Sequence, residues 1–293
     1  NFGVLLAQNN ATITSGGGNV DVAGIAGEGP SSVGVRIYGG GQISATTGTP
    51  TITVTADSME INAASAINAG ANAVRLRPRT AGTRIDLGGA DVTSASPLTL
   101  GLTDVELDYI VAGTLTIGDA SSGAMTVTSA LSRPTNTNVE LVSGDAILFA
   151  NGLNTTGGSL KLTPGASVQP KATGADSTTS GNVTSFASGS ALRIDLSGTT
   201  VNTQYDQLNV VGSVNIDGVT LDLGGDYTSN SGDVFTIVSA TAVTGRFMGL
   251  ADGDLIEHHG RFLRIAYTAA AVRLTDVGPA AYDFGDAPIS YGT

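Results

Sequence analysis

The sequence contains no cysteine and no tryptophan, and only 5% of its residues are aromatic. The absence of cysteine excludes disulfides, thiolate chemistry and cysteine-ligated zinc. Because globular enzyme cores usually depend on aromatic side chains for bulk, their scarcity favours a narrow core of Val, Ile, Leu and Ala. No run of about 18 apolar residues occurs, so we expect no membrane-spanning helix.

Charged residues are also scarce, at 13% of the chain, which is about half the usual share. Lys161 and Lys171 are the only lysines, and the formal net charge is −12. Because an acidic, lysine-poor surface repels phosphate backbones, we expect no nucleic-acid partner. The chain begins without a charged segment followed by an apolar one, so we expect any export signal to have been removed or to lie upstream.

The clearest pattern lies between Tyr205 and Asp222, in the sequence YDQLNVVGSVNIDGVTLD. Aliphatic residues alternate with polar ones, which predicts strands, while Gly212 and Asp217-Gly218 predict tight corners between them. Strands of about four residues are too short to be stable as isolated hairpins. We therefore predict that they stack as successive sides of a β-solenoid.

The same kind of pattern extends over the chain from its first residues. Strand-like segments recur about every eight to ten residues, and helical spacing never lasts two turns. Two or three such strands with their corners give roughly 20 to 25 residues per repeat, as in solenoid proteins. We predict β-helix rungs over residues 1–232, with a possible protruding loop at 171–189, where Ser, Thr, Gly and Asn dominate.

The strands after Asp233 are longer and richer in aromatic residues, including Phe235, Phe247, Phe262 and Tyr267. The open end of a solenoid invites aggregation unless it is covered. We therefore predict a C-terminal cap of antiparallel hairpins over residues 233–275. Residues 276–293 are interpreted as a linker or the start of a following module.

Several segments resemble a repeat of large bacterial surface and secreted proteins of the filamentous-haemagglutinin and autotransporter-passenger type. The resemblance extends from Ala64 to Thr275 and includes AVRLRPRTAGTRIDLGGADV, LGLTDVELDYIVAGTLTIGDASSGAMTVTSAL, ALRIDLSGTTVNTQYDQLNVVGSVNIDGVTLDL and TGRFMGLADGDLI. It implies an all-β fold, a right-handed parallel β-helix that serves as scaffold, adhesin or fibre. Because the resemblance rests on glycine and aliphatic positions, it implies no catalytic site.

The last residues, DFGDAPISYGT, resemble the first strand of a GEVED-type module of modular bacterial exoproteins. Ile289 stands where an acidic residue is usual in that module. The resemblance implies that the parent chain continues, while a simple linker is the alternative.

The segment TDVELD places three carboxylates close together, from Asp104, Glu106 and Asp108. In an extended strand they would share one side and could bind calcium or act in acid–base chemistry. The alternative, which we favour, is one helical turn or a corner before a strand, with the acids in solvent.

Two other acidic segments are candidates for calcium, the one cofactor we consider. Asp226, Asn230 and Asp233 place oxygen ligands along the loop GGDYTSNSGD, and Asp252 and Asp254 offer a second pair. Neither segment matches the EF-hand loop or the calcium-binding nonapeptide repeat.

The remaining polar residues give little sign of catalysis. His258 and His259 are adjacent, so on a strand they would face opposite sides and could not bind one ion together. The acids Asp195, Asp206, Asp217 and Asp222 lie near turn positions, which favours turn roles over a row of catalytic carboxylates. The sequence contains no GxSxG, HExxH or phosphate-loop motif, so we expect no enzyme.

Together these patterns predict a non-enzymatic bacterial protein, located outside the cell or on its surface. It would be a β-helical rod or fibre subunit that attaches to surfaces or self-associates. A carbohydrate-active β-helix enzyme, either a polysaccharide lyase or a glycosidase, is the first alternative and would need a groove lined by acids, basic residues and aromatics. A passive stalk that spaces other domains is the second.

Overall fold

The computed structural model describes residues 1–8, 11–27, 32–170 and 178–280, and these form an all-β protein with one short helix, as the sequence predicts. The first elements are β1 (Phe2–Ala7), β2 (Thr12–Thr14), β3 (Val20–Ala23), β4 (Val33–Tyr38), β5 (Gln42–Ser44), β6 (Thr51–Thr55), β7 (Met59–Ile61), β8 (Ala66–Asn68), β9 (Ala73–Arg77), β10 (Arg84–Leu87), β11 (Thr99–Leu102), α1 (Asp104–Asp108), β12 (Ile110–Val111), β13 (Thr114–Gly118) and β14 (Met125–Val127). The remaining strands are β15 (Leu131–Ser132), β16 (Asn138–Val142), β17 (Ile147–Phe149), β18 (Leu153–Asn154), β19 (Leu160–Thr163), β20 (Ser167–Pro170), β21 (Thr178–Phe186), β22 (Ala191–Asp195), β23 (Leu208–Asn215), β24 (Thr220–Gly224), β25 (Val234–Thr244), β26 (Leu255–His258), β27 (Arg261–Tyr267) and β28 (Ala271–Pro279).

These strands form four sheets, most of them built from parallel pairs. A three-stranded sheet has the order β1-β4-β7, a four-stranded sheet β12-β8-β5-β2, and a seven-stranded sheet β11-β10-β14-β17-β20-β22-β24. A fourteen-stranded sheet has the order β26-β27-β28-β25-β23-β21-β19-β16-β13-β9-β6-β3, and β15 and β18 join it beside β21. The first nine strands visit the three-, four- and fourteen-stranded sheets in turn. From β14 to β25 the chain passes repeatedly between the seven- and fourteen-stranded sheets.

The spacing of paired residues along the fourteen-stranded sheet is irregular. Hydrogen-bonded side chains on neighbouring strands are 22 residues apart for Thr55 and Arg77, and 21 for Glu140 and Lys161. The spacing is 32 residues between Asn19 and Thr51, and Val74 pairs with Leu115, 41 residues further along the chain. Some paired residues are therefore further apart in the chain than the roughly 20 to 25 residues predicted for one repeat.

The fourteen-stranded sheet aligns aliphatic side chains on its inner face and polar ones on its outer face. This separation follows from the alternating pattern, because successive residues of a strand point to opposite faces. The inner row consists of Val20, Ile52, Val74, Leu115, Val139 and Leu160, which are paired in that order and are all buried. Burial of each such side chain contributes roughly 1.5–3 kcal/mol. The outer row at the next position consists of Asp21, Thr53, Arg75, Thr116, Glu140 and Lys161.

Antiparallel pairing between strands begins at β25, where the sequence predicts antiparallel hairpins. β25 pairs in parallel with β23 on one side and antiparallel with β28 on the other, and β27 pairs antiparallel with both β26 and β28. The Phe235 ring packs edge-on against Tyr205, with centroids 5.4 Å apart. β28 continues to Pro279, past the predicted boundary at Thr275. The segment that resembles a GEVED-type module lies outside the described residues.

Two local predictions differ from the structure. The second half of the predicted loop at 171–189 forms strand β21, which pairs with β19 and β23, while residues 171–177 lie outside the described part. Ladder hydrogen bonds use the backbone, so this Ser- and Thr-rich segment pairs without an alternating apolar pattern. Gly212, predicted as a corner, lies inside β23 where the register shifts. Asp217-Gly218 does form a turn, with a φ of 72° at Gly218.

Candidate functional site

A groove of about 580 Å³ lies where the three-stranded and seven-stranded sheets meet. Its lining includes three carboxylates, from Glu60 on β7, Asp91 on the loop after β10 and Glu106 on α1, together with Tyr109. Sequence reasoning considered only Glu106 among these acids. A half-buried carboxylate, two further acids and an aromatic side chain line this one depression, so we take it as the candidate functional site.

Asp91 reaches the groove because the chain turns back on itself after β10. Val92 and Thr99 pair antiparallel, with N–H···O distances of 2.8 and 3.0 Å in the two directions. This reversal brings the chain at Ala90 and Asp91 directly over Gly101. A Cβ at Gly101 would lie 2.1 Å from the carbonyl carbon of Ala90, so only glycine fits there.

The Asp91 carboxylate joins two strands that are not paired with each other. Its Oδ2 accepts the N–H of Met59 on β7 at 3.0 Å, and its Oδ1 accepts the N–H of Gly101 on β11 at 2.8 Å. Burial raises the pKa of the Asp91 carboxyl from 3.8 to about 7, and the charges of Glu106 and Glu60 act in the same direction. The two N–H groups oppose this rise in pKa. Asp91 is therefore a carboxyl group that changes charge near neutral pH.

Glu106 makes a second link to the same strand. Its Oε1 accepts the N–H of Ile61 at 3.2 Å, while its Oε2 accepts both the N–H and the hydroxyl of Thr103. The Thr103 hydroxyl in turn accepts the N–H of Glu106, which completes a capping box at the start of α1. At the other end of α1, the buried Arg133 donates to the carbonyl oxygens of Leu107 and Ile110.

The helical interpretation of TDVELD is therefore confirmed, because residues 104–108 form α1. The expectation that all three acids lie in solvent was wrong for Asp104 and Glu106, which are partly buried and accept hydrogen bonds. Asp104 accepts the N–H of Ser132 at 2.7 Å, and Asp108 is exposed. Glu106 accepts hydrogen bonds from Thr103 at the start of α1 and from Ile61 on β7.

Glu60 faces the groove from the edge of the three-stranded sheet. Its Oε2 lies 2.9 Å from Nε of Arg36, and its Oε1 accepts a hydrogen bond from Asn62. The Arg36 guanidinium also lies over the rings of Phe2 and Tyr38, at 5.1 and 5.0 Å from their centroids. The Arg36 guanidinium thus packs against the three-stranded sheet, and its ion pair with Glu60 links it to the groove.

In the loop proposed for calcium, the Asp233 carboxylate accepts hydrogen bonds from within the loop. Asp233 accepts the hydroxyl of Tyr227 at 3.0 Å and the N–H of Asn230 at 2.8 Å, while Asp226 is exposed. In the described part of the chain, no group of three or more His, Cys, Asp or Glu side chains is placed to hold a metal ion. Asp252 and Asp254 likewise accept backbone N–H groups, from Tyr267 and Ala251.

The histidine prediction was wrong in its geometry. His258 ends β26, but His259 leaves the strand with a φ of 48°, and the two rings pack edge to face with centroids 4.4 Å apart. His259 Nε2 lies 2.8 Å from the carbonyl oxygen of Gly225. His258 is buried, and its Nε2 has no hydrogen-bond partner in the described structure.

The four aspartates expected at turns have mixed roles. Asp217 does lie in a turn, but Asp195 and Asp222 are within strands β22 and β24, where both pair with Arg193 at 3.0 and 3.2 Å. Asp206 is buried and accepts the N–H of Asp195 at 3.0 Å. Aspartate is uncommon in strands, and here the ion pairs with Arg193 offset that preference.

Comparison of the chain with family models, curated proteins and solved structures finds no match. Evidence for function therefore comes from this chain alone. No helix in the described ranges is long and apolar enough to cross a membrane. Of the acids in the groove, Glu60 and Asp91 lack any motif by which sequence reasoning could find them, because a chain reversal and a sheet edge bring them together.

Proposed function

We propose that the four sheets are the walls of a right-handed parallel β-helix. The supporting observation is that parallel strands follow each other through the sheets in a repeating order, so that the chain returns to each sheet one strand further along. The aligned inner row of aliphatic residues is what a narrow, stacked core requires. Right-handedness is the general rule for parallel crossover connections. The antiparallel strands β25 to β28 then act as a cap on the C-terminal end.

On this fold we propose a non-enzymatic extracellular or cell-surface protein, a rod or fibre subunit that attaches to surfaces or self-assembles. The observation that carries the proposal is the row of parallel strands from β3 to β25 in the fourteen-stranded sheet, in which each step adds about 4.8 Å to one axis. Such a column is stiff because each strand is hydrogen-bonded to the next. The resemblance to bacterial haemagglutinin and autotransporter repeats supports the same role, and the net charge of −12 argues against nucleic acid.

A pair of neighbouring residues tests the column itself. Val74 is buried in the inner row, and Arg75 is exposed beside it. We expect Val74→Asn to lower the free energy of unfolding by about 2–5 kcal/mol, and Arg75→Asn to change it by at most about 0.5 kcal/mol. Equal effects in urea titrations followed by circular dichroism would contradict the stacked core.

Assembly and attachment need a separate test. We expect purified protein to form rods or filaments in negative-stain electron microscopy, with a sedimentation coefficient that rises with protein concentration. Val74→Asn should abolish this behaviour and Arg75→Asn should retain it. Monodisperse single rods at all concentrations, with no retention on cell or matrix surfaces, would favour a passive stalk instead.

A carbohydrate-active enzyme is the second candidate, favoured by the groove of about 580 Å³ with Glu60, Asp91, Glu106 and Tyr109. The pKa of Asp91, about 7, suits a general acid. The test is release of reducing ends or unsaturated uronates from a panel of polysaccharides. Activity that Asp91→Asn removes and Asp119→Asn retains would establish this function, and no release by the wild type would exclude it for that panel.

A further inference from the structure

The turn between β26 and β27 links the C-terminal hairpin to the end of another sheet. His259 in this turn has a φ of 48°, and its Nε2 lies 2.8 Å from the carbonyl oxygen of Gly225. Gly225 follows β24, the last strand of the seven-stranded sheet, whereas β26 is the terminal strand of the fourteen-stranded sheet. Because a carbonyl oxygen can only accept, His259 Nε2 carries the hydrogen of this bond. One hydrogen bond thus joins the two sheets at their C-terminal ends.

The neighbouring His258 lies in a site that suits only a neutral imidazole. Its ring packs edge to face against the His259 ring, with centroids 4.4 Å apart. The side chain is buried, and its Nε2 has no hydrogen-bond partner in the described structure. An imidazolium is a donor at both nitrogens, so a charged His258 would hold a buried N–H without an acceptor. Such a group costs far more in a cation than in a neutral ring.

We propose that this turn is an acid-released latch on the end of the seven-stranded sheet. While His258 is neutral, it packs against the His259 ring and supports the bond to Gly225. When His258 gains a proton, it leaves its buried site, and the His259 ring loses the surface on which it packs. The turn then separates from Gly225. The latch does not depend on whether copies of the chain self-assemble.

The groups around His258 agree with this direction. Burial lowers the pKa of His258 below its ordinary 6.5, His259 acts in the same direction, and Glu257 opposes them. The Glu257 carboxylate accepts a backbone N–H of the turn at 2.8 Å. Across the hairpin His258 pairs with Arg261 on β27, whose guanidinium is held by Asp276 on β28. Both carboxylates therefore already accept hydrogen bonds from other groups.

On the other side of the latch, the charged neighbour of Gly225 is Asp226, which is exposed. Interactions of an exposed charge are weakened by water and by salt. We therefore expect Asp226 to have little influence on the protonation of His258, and it provides a position for a control.

Linkage gives the pH window of the release. In the released form His258 is in water and its pKa returns to the ordinary 6.5, so this form binds more protons than the latched one. Release is therefore least favourable above pH 6.5 and becomes easier as pH falls below that value. From pH 7.5 to pH 5.5 the release equilibrium should rise by at most about tenfold, a limit reached if latched His258 stays neutral throughout.

Hydrogen exchange of the whole chain measures the release. The Gly260 N–H donates to Glu257, and the Ala280 N–H donates to the carbonyl oxygen of Gly260 at 2.8 Å. We expect the protection of both amides, corrected for the intrinsic rates of unstructured peptides, to fall severalfold from pH 7.5 to pH 5.5, and by at most about tenfold. The amides of Val74 and Leu115, in the middle of the fourteen-stranded sheet, should keep their protection. Equal changes at both places would overturn the proposal.

Three variants separate the proton acceptor from the latch. His258→Phe keeps a ring against His259 but takes no proton, so protection of the turn should no longer depend on pH. His259→Asn tolerates a positive φ but removes the ring that reaches Gly225, so protection should be low at both pH values. Asp226→Asn is the control and should keep the wild-type response. A wild-type pH response in His258→Phe, or wild-type protection in His259→Asn, would contradict the proposal.

A direct titration covers the case in which His258→Phe fails to fold. The chain has only two histidines, so the ring C–H resonances of the wild-type protein give two titration curves by NMR. The proposal requires one imidazole to titrate below 6.5 and the Gly260 amide resonance to shift along the same curve. If both imidazoles titrate at the ordinary value, or the Gly260 shift follows neither curve, the proposal fails.

Discussion

Arg261 and Asp276 face each other across strands β27 and β28 and share two hydrogen bonds, Nε–Oδ2 at 2.9 Å and Nη2–Oδ1 at 2.6 Å. Asp276 is buried and also accepts the hydroxyl of Ser229 and the N–H of Gly278. Arg261 donates in addition to Ser231. One carboxylate thus fastens the loop before β25 to the last hairpin.

Replacing Asp276 by Asn should weaken the C-terminal hairpins. The amide keeps one acceptor oxygen, but it places an NH₂ group against donors and leaves the guanidinium of Arg261 without its counter-charge. We expect the free energy of unfolding to fall by about 2 kcal/mol, measured by urea titration. Asp226→Asn, at an exposed position in the same loop, is the control and should be nearly neutral. Equal stability of the two variants would refute this role for Asp276.

The same carboxylate makes stability depend on acid. The hydrogen bond from Arg261, followed by those from Ser229 and Gly278, lowers the pKa of Asp276 below its ordinary 3.8. Because the folded pKa is the lower one, the stabilisation is fully present above the ordinary value and is lost as pH falls below it. We expect the stability difference between wild type and Asp276→Asn to shrink below about pH 4. A constant difference down to pH 2 would contradict this.

The buried His258 should cause a second loss of stability, at a higher pH than the loss caused by protonation of Asp276. Burial, and then the neighbouring His259, lower the pKa of His258 below 6.5, while Glu257 opposes them. The folded state therefore resists a proton that the unfolded chain accepts, so stability should decrease as pH falls below about 6.5. His258→Phe should reduce this decrease in urea midpoints measured from pH 7 to pH 5. His259→Phe is the matched control, and a similar flattening in it would point to the pair and not to His258.

The secondary structure could be predicted from the sequence because alternation fixes which residues of a strand face the core. Val74 and Leu115 follow that pattern and are buried, and the longer, aromatic segments after Asp233 form the antiparallel hairpins. Alternation does not fix which strand lies beside which. Val74 pairs with Leu115 although β10, β11 and β12 lie between them in the chain, and no local sequence pattern predicts this pairing.

The candidate site depends on that same long-range information. Asp91 enters the groove because Val92 pairs back onto Thr99, and Glu60 does so because β7 happens to end its sheet. His259 was misplaced for a local reason, since its positive φ turns the chain out of β26. Pattern reasoning assumes a regular strand, and it fails where one residue leaves the extended conformation.

Thr184 lies in the inner row, paired with Leu160 and Val214, and its hydroxyl has no hydrogen-bond partner in the described structure. Removing a buried hydroxyl that makes no hydrogen bond should be favourable. We expect Thr184→Val to raise the free energy of unfolding by about 1 kcal/mol. Thr155→Val is the contrasting control, because the Thr155 hydroxyl donates to the carbonyl oxygen of Gly158 at 2.6 Å. That variant should lose about 1 kcal/mol, and a loss in both would contradict the assignment at Thr184.

Distances measured along the outer row of the fourteen-stranded sheet can test the order of its strands. The chain has no cysteine, so only introduced cysteines would carry a spin label. Asp21 can be paired in turn with Lys161, Ser185 and Asn215, which occupy successive strands at matching positions. Because neighbouring strands lie about 4.8 Å apart, the three label pairs should be about 24, 29 and 34 Å apart. Distances from double electron–electron resonance that rise in equal steps support this order of aligned parallel strands. The opposite outcome is that the distances decrease, or rise in steps that differ by more than the breadth of the label distributions. Either result would mean that β19, β21 and β23 do not follow one another along a single axis. Both the order of strands in the sheet and the proposed column would then have to be abandoned.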